Sequence, residues 1–299
     1  MTGSMLKRIG TGLLPFLLAA LPACSGGTAY LRTSDELVAA NPMQRIAVIT
    51  GGQVVYFTSE GHGVDIPWSR QALHRITQNL CDGLQDKGYT VTFCQTAGIG
   101  FRGTGAAPLW LYDVDARGRR TLRPDQEHVP LADPLRDEHA DIQAAVRRLF
   151  TAIEDAAAEE RLSAPALPTA DVQLLGKVLD ADTLCMNRIY GEKRSKGYQR
   201  RSRAGAAATK GADKPRVAKS GLIEPSFICV AASSGDVLWQ YGASLDAVYT
   251  RTSGDRGFSY QDKPLRTMLE LFPRPGRTLD AGRPGKLNKC HRNGEVAAS

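Results

Sequence analysis

From residue 44 onward the chain alternates between short apolar runs of strand length and longer stretches with helical spacing. Gln44 to Thr50, QRIAVIT, is a β-branched run bounded by polar residues, and it predicts a buried strand. In WSRQALHRITQNLCDGLQDKG, Trp68, Leu73, Ile76, Leu80 and Leu84 recur at steps of three to five residues. That is the apolar stripe of a helix, with Pro67 before its first turn and Gly88 where a C′ glycine is expected. YTVTFCQTA, residues 89–97, alternates as a strand. Beyond a glycine-rich link, LWLYDVDARGRRTLRP predicts a hairpin turning near Arg117 and Gly118, with a basic second arm. Asp133 and Pro134 form an N-cap and N1 pair for a long helix through LRDEHADIQAAVRRLFTAIEDAAAEERL.

The second half repeats the same logic. LPTADVQLLGKVLDAD predicts a helix capped near Thr169, and TLCMNRIYG a strand. SFICVAASSGDVLWQYGASL predicts two strands turning at Ser234 and Gly235, and PLRTMLELF a closing helix. This order predicts an α/β fold, a mixed β-sheet with helices packed on it. The expected organisation is one domain over 44–272, with a hairpin insertion at 98–132 and a long, flexible basic loop at 191–221 between two strands. No internal repeat is visible.

Upstream of this domain the pattern changes. Ile9 to Ala23 is an apolar run of 15 residues preceded by Lys7 and Arg8. It is shorter than the roughly 20 residues of a membrane-spanning helix, and it predicts a signal peptide over 1–23. Leu21, Pro22, Ala23 and Cys24 resemble the lipobox of bacterial lipoproteins, which implies cleavage before Cys24 and lipidation of its thiol. The alternative is an ordinary secretory signal that leaves Cys24 a free thiol. Ser25, with no acid at that position, resembles the outer-membrane sorting pattern, and SGG suits a tether over 24–43. The expected location is the outer membrane, lipid-anchored and facing the periplasm.

Cleavage before Cys24 leaves 276 of the 299 residues, enough for a proper core. The formal charge of +7 is distributed unevenly. Residues 193–219 carry ten Lys or Arg against Asp213 alone, a local +9, and the tail from Pro273 carries a local +4. Excluding these and the two signal-peptide bases, the remaining chain carries −8. Lys193, Arg194, Lys196, Arg200, Arg201 and Arg203 are the candidates for polyanion binding, to lipid head groups, peptidoglycan carboxylates or an acidic partner face. The competing reading is a solvated loop with no partner, and the tail 273–299 reads as basic and flexible. Nucleic acid fits the charge, but the export signal argues against it as a partner.

Besides Cys24 the chain has five cysteines, an odd number for an oxidising compartment. A hairpin with its midpoint near residue 206 pairs positions whose numbers sum to about 412. Cys185 and Cys229 sum to 414 and are the disulfide candidates. Cys81 and Cys94 flank the Gly88 turn unequally. With rises of roughly 1.5 and 3.3 Å per residue they are expected to be about 9 Å out of step, which makes them the less favoured pair.

RIAVI, LCDGLQDKGYTV, LGKVLDADTLCMNRIYG and the hairpin ICVAASSGDVLWQ, with Gly235 at its turn and Trp239 beyond, together resemble one bacterial superfamily. It contains the curli secretion-channel lipoprotein, the penicillin-binding-protein activator lipoproteins and the N-terminal domain of TolB. The pieces cover about half of the chain. The resemblance implies a fold and a compartment, action through a protein or envelope-polymer partner, and possible homo-oligomers. It carries over no catalytic residue, and 98–165 and the tail have no counterpart in it.

Enzyme readings are weaker. GIGFRG, residues 98–103, formally fits a dinucleotide pattern, but a proline and a strand follow where the mechanism needs a helix N-terminus. GRPGKLN lacks the P-loop gap, and neither G-x-S-x-G nor S-x-x-K occurs. His128, Asp133, Glu138 and His139 are the best metal candidates. Acids at a helix start are equally explained by its dipole, and the spacing matches no standard ligand set. His62 and Asp65 read as loop residues. The expectation is a non-enzymatic, lipid-anchored periplasmic binding or assembly protein with no cofactor. The alternative is a periplasmic enzyme, with or without a metal, using 98–141.

Overall fold

The computed structural model describes residues 19–22, 28–41, 43–58, 61–106, 110–115, 119–123, 129–130, 140–159, 165–201, 221–246 and 262–275. Among the described residues, eleven strands join in one mixed sheet. Its axis is β3 (Arg45–Phe57), which pairs in parallel with β5 (Thr90–Ile99) on one side and β9 (Thr183–Arg194) on the other. Beyond β9 the sheet continues antiparallel through β10 (Gly221–Ala231), β11 (Val237–Asp246), β2 (Thr28–Thr33) and β1 (Ala19–Pro22). β1 falls within the expected signal peptide, so cleavage before Cys24 would leave β2 as the edge strand. On the other flank, β4 (His62–Asp65) pairs with the last residues of β3 and carries β6 (Leu111–Val114) and β7 (Arg120–Arg123). β8 (Val129–Pro130) pairs with the end of β5.

Helices cover both faces, which explains why β3 reads as a continuous apolar run: a strand buried on both sides loses its alternation. Ile46 and Val48 face α2 (Ile66–Asp86) and α6 (Asp262–Leu271), together with Cys185, Phe227, Cys229, Trp239 and Tyr241. Ala47 and Ile49 face α3 (Ala140–Glu159) and α4 (Thr169–Val178), together with Leu184, Met186, Ile228 and Val230. The period of two in the strands therefore sorts the apolar residues into two cores, one on each side of the sheet.

Gly51 and Gly52 interrupt the apolar run of β3 without ending it. A Cβ on Gly52, whose φ is +141°, would lie 1.9 Å from the Ile189 carbonyl oxygen, and one on Gly51 would lie 2.7 Å from the Phe150 ring. The pair provides a bulge against β5 and room for the stacked Phe101 and Phe150 rings, whose centroids are 4.5 Å apart. β3 then runs on through QVVYF, ending seven residues past the strand expected from the sequence.

Local chemistry sets both ends of α2, and the sequence predicts Pro67 and Gly88 but not the cap. Asp65 is the N-cap, its carboxylate accepting from the Trp68 amide at 3.0 Å, Pro67 lies in the first turn, and Gly88 takes a φ of +96° after the last turn. Asp65 is thus a capping residue and not part of a loop. In α4 the expected cap moves by one residue: Pro168 is the N-cap and Thr169 the first helical residue. The start of the long helix near Asp133 lies outside the described residues.

Three expectations about organisation need correction. The tether over 24–43 contains β2 and α1 (Asp35–Ala40), which Ser34 caps. β2 is held by six paired positions along β11, so the sheet begins well before residue 44. The 98–132 hairpin exists as β6 and β7, but parallel pairing of β6 with β4 makes it part of the main sheet and not an appendage. The basic loop is shorter than 191–221, because β9 runs to Arg194 and residues 196–201 form a helix, α5.

The Cys185–Cys229 bridge is present. Every pair in the β9–β10 ladder sums to 414, so the two cysteines stand directly opposite, with Cα atoms 4.1 Å apart. Cys81 and Cys94 are also bridged, with Cα atoms 6.3 Å apart, which corrects the expectation. About two residues are spent crossing from the helix layer to the sheet, and β5 holds an extra residue at a bulge between Val91 and Phe93. The remaining three strand residues rise about 10 Å, matching the about 10 Å of helix between Cys81 and Gly88. Helix and strand stay in step beyond the bridge, where the Thr77 and Thr96 hydroxyls are 3.1 Å apart.

Candidate functional site

The basic segment leaves the sheet at one end, and the sequence-predicted polyanion residues divide there into two groups. Lys193 is engaged by the fold: its ammonium lies 3.3 Å from the centre of the Trp68 ring and 5.3 Å from that of Tyr56. Such stacking of a cation on aromatic faces fixes the end of β9 against α2. Arg194 is half-buried and forms an ion pair with Glu192, its Nε donating at 3.0 Å. These two are structural groups first. Lys196, Arg200 and Arg201 are exposed on α5. Arg203 lies outside the described residues, as does Cys24.

α5 is docked on the sheet. The Ser195 hydroxyl accepts from the Tyr198 amide at 3.1 Å, and the Gln199 amide side chain donates to the Arg194 carbonyl at 3.0 Å. Tyr198 packs on Phe57 with centroids 5.3 Å apart, and Phe57 stacks on His62 at 5.3 Å. The result is an aromatic row, Tyr198–Phe57–His62, running across the ends of β9, β3 and β4. Sequence reasoning missed it, because Phe57 follows two glycines and His62 reads as a loop residue. The signal was the VVYF run after Gly51 and Gly52.

Beside this row, on the α3 side of the sheet, lies a half-buried ladder of charge. Arg188 forms a bidentate pair with Glu154 of α3 at 2.7 and 2.8 Å, and its guanidinium lies 5.6 Å from the Tyr190 ring centre. Burial lowers the Arg188 pKa, but Glu154, with Glu224 and Tyr190, more than offsets this and holds it above the usual arginine value. The Tyr190 hydroxyl bonds the Glu192 carboxylate at 3.2 Å, and burial followed by the Glu192 charge pushes its pKa upward. Each charge here has a counter-charge, which is how charged groups are kept in a low-dielectric setting.

The remaining candidates are quickly placed. GIGFRG ends β5 and is pinned to α3, the Thr104 amide donating to Asp155 at 2.7 Å. Residues 101–106, directly after β5, contain no helix. His128, Asp133, Glu138 and His139 lie outside the described residues, and no group of three His, Cys, Asp or Glu is close enough to hold a metal among the described ones. No described helix is long and apolar enough to cross a membrane.

No protein-family model matches the chain, and no curated protein sequence matches it. Among solved structures, a PelC dodecamer from Paraburkholderia phytofirmans is similar over 73% of this chain and 80% of that chain. The identity is 11% and the TM-score 0.26, a likeness too slight to carry an argument about fold or function.

Proposed function

We propose that the chain is a lipoprotein of the bacterial envelope, anchored through Cys24 in the outer membrane, facing the periplasm, and acting as a binding or assembly module. The observation that carries this is LPAC, residues 21–24, closing a 15-residue apolar run with two positive charges before it. Two disulfides among the described residues support it, since bridges of this kind persist in oxidising compartments. Multiple acyl chains hold a lipoprotein stably, where one chain binds only marginally. Its partner is an envelope protein, a second copy or an anionic envelope surface.

Mass spectrometry of the mature N-terminus tests the anchor: acylated Cys24 is expected, and an unmodified thiol refutes it. Cys24→Ser should move the protein out of the membrane fraction. Cross-linking in solubilised envelopes, followed by identification of the captured chain, tests the binding role.

A further inference from the structure

We infer that the end of the sheet where β9, β3 and β4 meet α5 is a bilayer-facing platform that docks on anionic lipid head groups. This names a partner for the lipoprotein reading above and rests on it for the location of the bilayer. Observations from separate parts of the chain converge on this end.

The strand directions bring the anchor there. β2 runs antiparallel to β11, which runs parallel to β9 and β3, so Thr28 begins β2 at the end where β9 and β3 finish. Following the registers, Thr28 lies opposite Ser244, beyond which the ladder reaches Glu224 and Tyr190. Cys24 precedes Thr28 by four residues, so a lipid on its thiol is tethered within that short length of chain from this end of the sheet.

The charge is there as well. α5 stands at the end of β9 and exposes Lys196, Arg200 and Arg201. The row Tyr198–Phe57–His62 supports α5 from beneath, so these cations are held at a fixed place on the domain and do not trail in solution.

An exposed aromatic completes it. Trp110 precedes β6, and the pairing of β6 with β4 and of β4 with β3 sets it level with Gly63 and Tyr56, beside the aromatic row. It is 50% exposed, and Leu122, on the neighbouring β7, is 38% exposed. Large apolar side chains this open on a folded domain mark a candidate interaction surface. Tryptophan favours the membrane interface because its ring is apolar while its N–H stays hydrated. From β9 to β6 is three strand spacings, about 14 Å, and from β2 to β6 six, about 29 Å. The start of β2, the cations and the tryptophan thus fall along one end of the sheet, within about 29 Å. An anionic bilayer satisfies all of these features, whereas an acidic polymer explains the charge but not the tryptophan.

The test uses the chain from residue 25 to 299, without lipid. The three large apolar clusters among the described residues lie between Leu31 and Phe272, so this chain retains all three. Sedimentation with phosphatidylcholine vesicles, alone and mixed with phosphatidylglycerol, measures binding. Trp239 is fully buried and Trp68 half-buried, so a shift in emission reports mainly on Trp110. Binding to the mixed vesicles, a blue shift on binding and loss of both at high salt are expected. At about 1 kcal/mol per basic residue near the surface, Lys196→Gln with Arg200→Gln should weaken binding about thirtyfold. Leu122→Ser should weaken it while leaving the melting temperature within a few degrees.

Equal binding to neutral vesicles, or no loss in the Lys196→Gln, Arg200→Gln variant while it melts like the parent, overturns the proposal. So does binding to peptidoglycan sacculi with none to vesicles, or to vesicles with no emission shift. Because the lipid is absent, none of these results depends on whether Cys24 is acylated. That is settled separately by the mass of the mature N-terminus.

Discussion

Removing the two disulfides one at a time should destabilise the domain unequally, by amounts set by the loops they close. Cys185–Cys229 spans 44 positions and Cys81–Cys94 spans 13. Constraining the unfolded chain over these lengths corresponds to about 4 kcal/mol for the first and about 3 kcal/mol for the second at room temperature. The pairs also differ in access. Cys185 and Cys229 are both fully buried between α2, α6 and the sheet, while Cys94 is half-buried. A reductant acting on the native protein should therefore open Cys81–Cys94 first and reach Cys185–Cys229 only on global unfolding.

Urea unfolding of Cys81→Ala/Cys94→Ala and of Cys185→Ala/Cys229→Ala gives the two free energies. Timed reduction with alkylation and peptide mapping gives the order of opening. The Cys185–Cys229 variant should lose more, by about 1 kcal/mol from the loop alone and further from the cavity its buried sulfurs leave. A larger loss for the Cys81–Cys94 variant would refute the loop argument. Reduction of Cys185–Cys229 in the native state as fast as Cys81–Cys94 would refute the burial argument.

Glu154→Gln leaves the Arg188 guanidinium buried without its counter-charge and should cost about 3–5 kcal/mol, read as a lowered urea midpoint. Glu154→Leu with Arg188→Met should recover most of that loss, and equal losses in both variants would contradict the pairing. Gly52→Ala forces a methyl group against the Ile189 carbonyl and should destabilise by more than about 2 kcal/mol, with a matching fall in melting temperature. Burial raises the pKa of Tyr89, Tyr190 and Tyr241, the last pushed up to about 12, so the folded chain keeps protons that the unfolded chain releases near pH 10. Stability should hold below the unfolded value and fall as pH rises from about 10 toward 12, and a flat urea midpoint over that range would refute it.

Where periodicity is strong and local, the sequence was sufficient. The 3.6-residue stripe of α2, Pro67 in its first turn and its Gly88 stop are each set by the residues next to them, so no distant contact can shift them, whereas the Asp65 cap reads as a loop residue. The Cys185–Cys229 pair was legible because a hairpin has one free parameter, its midpoint, and every position on both arms follows from it. The tertiary structure decided the rest. Cys81–Cys94 depended on how many residues cross between layers and on a bulge opposite Ile46 and Ala47, neither of which leaves a mark in the sequence. β2 reads as part of a tether because a six-residue strand near the sheet edge carries little apolar signal of its own and is held by the ladder of β11. Trp110, α5 and Thr28 are far apart along the chain and share one end of the sheet only because of strand direction. Direction is a property of the whole topology, set by packing on both faces at once, and no local stretch of residues encodes it.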